Sequence, residues 1–111
     1  MTNQLLTELI KLALENETEN VNSEVPFKVG EKYFIRTATY HLIGEVKEIV
    51  GQFIVLKKET ITWVADSGRF MQAIDNGTLN EVEPVKVEGG VNINSIIDYF
   101  VWEHKIPREQ K

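Results

Sequence analysis

The chain contains no cysteine. That excludes disulfide scaffolds, thiolate metal sites and cysteine nucleophiles. Histidine is scarce: the two, His41 and His104, stand too far apart for zinc-ligand spacing. No apolar run approaches the ~20 residues of a membrane span, and the N-terminus lacks the basic start and continuous apolar stretch of a signal peptide. A basic surplus is missing too, with 12 Lys+Arg against 17 Asp+Glu and a formal charge of −5. Binders of duplex nucleic acid usually carry a basic stripe, and an acidic surface is repelled by anionic membranes. Duplex nucleic acid and membranes are therefore not expected partners. No glycine-rich phosphate loop or nucleophile elbow occurs. Neither an enzyme nor a cofactor is expected, and the default location is cytosolic.

What is present fits one compact domain: 111 residues, 42% hydrophobic. Residues 1–25 form a unit apart. Leu5, Leu6, Leu9, Ile10 and Ala13 recur at the helical period, so the sequence predicts an N-terminal helix. The acidic, Asn-rich ETENVNSEV that follows reads as a tether. From residue 26 to 111 the period becomes that of strands. KYFIRTATY, HLIGEVKEIV, FIVLKKET, ITWVAD, EVEP, VKVEGGVNI and IIDYFVWE are the expected strands. FIVL is apolar on both faces, which suits a strand deep in a closed or two-layer sheet. One helix is inserted at 67–76, capped by Asp66 or Ser67, with Phe70, Met71, Ala73 and Ile74 inward and Asn76-Gly77 at its end. The tail IPREQK reads as polar surface. The expected fold is mainly β (α+β), a small barrel with one inserted helix and an N-terminal helix.

Two resemblances add to this. YFIRTATYHLIGEVKEIVGQFIVLKKET resembles the first motif of Sm-like small β-barrels, with Gly44, Val46, Ile49, Phe53, Val55 and Leu56 in matching places. VNINSIIDYFV looks like their second motif. The resemblance implies an Sm-like or SH3-like barrel whose exposed edges pair between subunits, hence a homo-oligomer. The RNA-pocket signature of those barrels is replaced here by Gly51-Gln52 and Asn94-Ser95, so it does not carry RNA binding over. Separately, YFIRTATYHLIGEV, WVADSGRFMQAI, NGTLNEVEPV and PREQK resemble a family of small uncharacterised proteins encoded by tailed bacteriophages and prophages. That implies a viral source and a place in the host cytoplasm or, alternatively, in the virion.

The candidate site comes from FIRTATYH and WVADSGRF. Arginine and histidine are poor core residues unless paired, so something should face them. Arg36 and Arg69 can hold phosphate. Tyr40 and Trp63 offer flat faces for a base. Thr37, Thr39 and Asp66 can orient hydroxyls or base edges, and His41 lies in the same row. Together these eight predict a small nucleotide-like ligand, such as a host defence signal that a phage protein sequesters. The competing arrangement pairs Arg36 with Asp66 or Glu45 and buries Trp63 beneath the helix. Two other functions compete as well: a virion-associated structural protein, and an inhibitor that binds a host protein through its acidic face.

Overall fold

The computed structural model describes residues 25–111. The predicted N-terminal helix and most of the tether lie outside the described residues. Seven strands and one helix follow in chain order: β1 (Lys32–Thr37), β2 (His41–Val50), β3 (Phe53–Leu56), β4 (Thr62–Asp66), α1 (Phe70–Asn76), β5 (Glu81–Pro84), β6 (Gly89–Asn92) and, after a 3-10 turn at Ile93–Ser95, β7 (Ile96–Val101). The fold is mainly β. Its antiparallel ladder runs β5-β4-β2-β1-β7, with β3 and β6 branching from β2, and it does not close on itself. No helix among the described residues is long and apolar enough to cross a membrane.

β2 organises the sheet because it serves two ladders. Its first half pairs with β1 on one side, from Arg36↔His41 to Lys32↔Glu45, and with β4 on the other, from His41↔Val64 to Ile43↔Thr62. Its second half pairs with β3, from Val46↔Leu56 to Val50↔Phe53. The strand changes partners just past Gly44. A Cβ at that glycine would lie 2.8 Å from Leu56 Cδ1, closer than carbon atoms can pack, so only glycine lets the two strands approach.

The period-2 alternation of β1 and β2 feeds two cores, one on each face of the sheet. Tyr33 and Ile35 join Leu42, Val46, Ile54, Leu56 and Val91 in the first. Phe34 joins Ile43, Val64, Ala73, Leu79, Val82 and Trp102 in the second. This is why consecutive residues of FIRTATYH are large: both faces of β1 are covered. β3, in contrast, buries one face only. Ile54 and Leu56 are buried, while Phe53 is exposed and Val55 half-buried, so its apolar run does not mark a strand covered on both faces.

Three more expectations change. α1 begins at Phe70 and has no side-chain cap; Asp66 instead accepts from Gly68 N–H at 2.8 Å, shaping the approach to the helix. Of its expected inward side only Ala73 is fully buried, and Met71 is exposed. Gly77 does end the helix, in the left-handed region at φ 78, its N–H donating to Ala73 C=O. The tail is not loose surface either. Trp102 is buried beside α1, and His104 Nε2 lies 2.7 Å from Ile74 O. Arg108 donates to the carbonyls of Ile61 and Val85, Thr62 Oγ1 donates to Pro107 C=O, and Lys111 exchanges backbone hydrogen bonds with Val82. The polar residues of IPREQK thus satisfy backbone groups along the β4–β5 ribbon.

Candidate functional site

The eight candidate residues divide between the two faces of the sheet. Arg36 shares its face with Phe34, and its guanidinium forms a two-point pair with Asp98 of β7, Nε donating to Oδ1 at 2.6 Å and Nη2 to Oδ2. The same guanidinium lies 4.3 Å from the Phe70 ring centroid and 5.7 Å from that of Phe100. It therefore clamps α1 to the sheet through cation–π contact. Arg36 holds the Asp98 carboxyl below its ordinary value by direct hydrogen bonding, against partial burial, with His41 adding a smaller effect in the same direction. The partner is neither Asp66 nor Glu45.

Tyr40 and Trp63 lie on the opposite face. Trp63 pairs in register with Leu42, a first-core residue, and Tyr40 packs against that core. Their rings stack at 4.8 Å and 9°. Trp63 remains 45% exposed, so it is a surface platform; the buried indole below the helix is Trp102. The expected meeting of Arg36 and Trp63 in one concave spot does not occur within the subunit, because alternation sends their side chains to opposite sides of one sheet.

The other candidates have separate places. Thr37 is buried, and its hydroxyl donates to Tyr40 C=O at 2.8 Å while accepting from Tyr40 N–H at 3.1 Å. It ties the β1–β2 turn and ends β1 there, three residues before the predicted end at Tyr40. Thr39 and His41 join Tyr40, Trp63, Val64 and Ala65 around an open depression of about 260 Å³. Asp66 is exposed and, besides Gly68, receives Asn80 Nδ2 at 3.4 Å. Arg69 is exposed at the start of α1. So Thr39, Tyr40 and Trp63 come together; His41 borders the same depression but sends its ring to the Arg36 face, 6.0 Å from the Phe34 ring, and Arg36, Thr37, Asp66 and Arg69 do not join them.

Sequence reasoning missed Glu83. It sits directly across the ladder from Trp63, and Glu81 lies across from Asp66. Val82 between them points into the second core, so Glu81 and Glu83 face outward on the Trp63 side. On the other flank of the stack, a narrow slot of about 130 Å³ runs past Tyr40, Leu42, Trp63 and Val87 to Glu88 and Gly90. The platform is thus aromatic and flanked by Glu83 on one side and, in the slot, by Glu88, which is paired with Lys47 at 2.6 Å. The EVEP pattern carried the signal, since a strand with acids alternating about a buried valine shows its acids on one face. Among the described residues, no group of three or more His, Asp or Glu side chains is placed to hold a metal ion.

No protein-family model matches the chain, and no curated protein or solved structure matches it.

Proposed function

We propose that the protein is a phage-encoded, non-catalytic binding protein that captures a positively charged group of a host protein on the Tyr40–Trp63 platform. The observation that carries this reading is the half-exposed indole of Trp63, backed by Tyr40 and set directly across from Glu83. A guanidinium can stack on such an indole and pair with the adjacent carboxylate at once. Each contact contributes on the order of 0.5–1 kcal/mol at an exposed site, so several such contacts would be needed for useful affinity. The chain's charge of −5 speeds encounter with a basic partner. The test is calorimetry with an arginine-rich peptide. Binding that weakens with salt and is lost in both Trp63→Ala and Glu83→Lys supports the reading; equal binding by the two variants and the parent overturns it.

A nucleotide-like ligand is the second reading, and the depression beside Thr39 and His41 favours it. There a base would stack on Trp63 while its polar end points away from Glu83. Of the two arginines expected to hold phosphate, Arg36 is paired with Asp98 on the other face and Arg69 does not line the depression, which lowers this reading below the first. Melting-temperature shifts with mono-, di- and cyclic nucleotides would promote it.

The architecture we assign is an Sm-like or SH3-like small barrel. It is supported by the two-ladder β2, the path β7-β1-β2-β3-β6 and the 3-10 turn linking β6 to β7.

A further inference from the structure

We propose that β7 is the contact through which two copies of this chain pair, edge to edge and antiparallel, about a two-fold axis at Tyr99. The inference is independent of what binds at Trp63.

Sheet edges are normally blunted, because their unpaired backbone groups template further pairing. The sheet ends in three strands, β5, β6 and β7, and treats β5 and β7 differently. β5 is closed by the chain's own end, Val82 N–H donating to Lys111 C=O and Lys111 N–H to Val82 C=O. β7 has β1 as its single partner among the described residues. Its exposed row is Ile97, Tyr99 and Val101, at 68%, 37% and 48% exposure, with no lysine or proline to deter pairing and one irregularity, a β-bulge at Ile97. A groove of about 360 Å³ lined by Phe27, Ile93, Ile96, Ile97 and Tyr99 runs beside it.

Backbone direction limits the register. Trp102 N–H donates to Lys32 C=O, and the β1–β7 pairing continues as Tyr33↔Val101, Phe34↔Phe100 and Ile35↔Tyr99. In an antiparallel ladder, alternate residues turn their N–H and C=O to the same neighbour. Phe100 and Asp98 therefore turn theirs to β1, and Val101 and Tyr99 turn theirs outward; a β-bulge at Ile97, between Arg36↔Asp98 and Thr37↔Ile96, ends the alternation there. Val101 and Tyr99 both also carry exposed apolar side chains, as does Ile97. Placing Tyr99 opposite Tyr99 sets Ile97 opposite the second copy's Val101. The outward backbone groups of Tyr99 then pair with those of the second copy's Tyr99, and the apolar side chains form one row on one face.

Charge selects a second copy and this register. The molecule carries −5, so two copies repel over most of their surface. The β7 edge is a neutral place: its one ionisable carboxylate, Asp98, is already neutralised by Arg36 of the same subunit. A register centred on residue 98 would set the two Asp98 carboxylates opposite each other, which is unfavourable. Centred on Tyr99, each Asp98 faces Phe100.

The test uses the full chain, which is free of cysteine. Sedimentation equilibrium at ~100 µM should give a dimer, and Ile97→Lys with Val101→Lys should give a folded monomer. Both positions are exposed, so the fold survives the change, and circular dichroism checks that it does. Cross-linking then reads the register. Ile97→Cys mixed with Val101→Cys should join through a short bifunctional reagent at least five-fold faster than Ile97→Cys alone. In the self-mixture the two sulfurs sit four strand residues apart, roughly 13 Å. A monomeric parent overturns the proposal, including one in which deleting residues 1–24 is needed to produce a dimer. So does a parent dimer that the double lysine variant leaves intact, or cross-linking without preference between the two mixtures.

Discussion

Replacing Arg36 with Gln separates a clamp from a ligand-binding residue. In the structure the guanidinium makes a two-point pair with Asp98 and lies 4.3 Å from the Phe70 ring centroid. The pair's side chains are 31% and 32% exposed. Charge-assisted hydrogen bonds contribute roughly 1.5–3 kcal/mol when buried; partial solvent exposure reduces that to about 1 kcal/mol. The stacking on Phe70 adds about 0.5–1 kcal/mol. Arg36→Gln should therefore destabilise by about 1.5–2 kcal/mol, which for a domain of this size lowers Tm by roughly 6–15 °C. Asp98→Asn should lose less, about 1 kcal/mol, because the guanidinium keeps its ring contact. The pair with both changes should show a coupling of about 1 kcal/mol in urea unfolding. pH supplies a second reading. Asp98 is lowered in the folded state, so its contribution is full above the unfolded carboxylate value near 3.9. It fades as pH falls through the lower folded value. The gap between parent and Asp98→Asn should thus be constant at neutral pH and shrink below about pH 4. A loss under 0.5 kcal/mol for Arg36→Gln, or a gap that persists at the lowest pH, would refute the clamp.

Other consequences are as direct. Trp102→Ala removes a buried indole from the second core and should cost about 3–5 kcal/mol by chemical denaturation. Gly77→Ala meets both a left-handed backbone and His104 Cβ at 3.0 Å, so melting should fall by more than the roughly 1 kcal/mol of a strained turn alone. Removing residues 107–111 leaves the fully buried Thr62 hydroxyl without its Pro107 acceptor; about 1–3 kcal/mol should be lost and β5 amides should exchange faster.

Much of the strand order could be read from the chain because each strand carries local instructions. HLIGEVKEIV announced both its length and its bend, since Gly44 stands where Leu56 leaves no room for a Cβ. Gly77 marked the helix end for the same kind of reason. The pairing of side chains across distance was not readable. Arg36 and Asp98 are 62 positions apart, and only the β1–β7 register unites them. A clue did exist: in DYFV an acid alternates with Phe100 on one face, a position that calls for a cation nearby. The competing arrangement that buried Trp63 beneath the helix fails, since Trp102 lies there; composition cannot say which of two apolar rings faces out. Trp63 follows Thr62 and precedes Val64, both buried, so β4 alternation places it on the outer side. Trp102 sits past the end of β7, where the chain turns back under α1.

The most direct test of the binding reading is the indole N–H resonance of Trp63, followed by two-dimensional NMR during titration with an arginine-rich peptide. The two tryptophans give two such signals, and buried Trp102 serves as the internal control. The account predicts a saturable shift of the Trp63 signal, reversed by salt, with Trp102 unmoved. A Trp63 signal that stays in place, or that moves only with nucleotides, would contradict it.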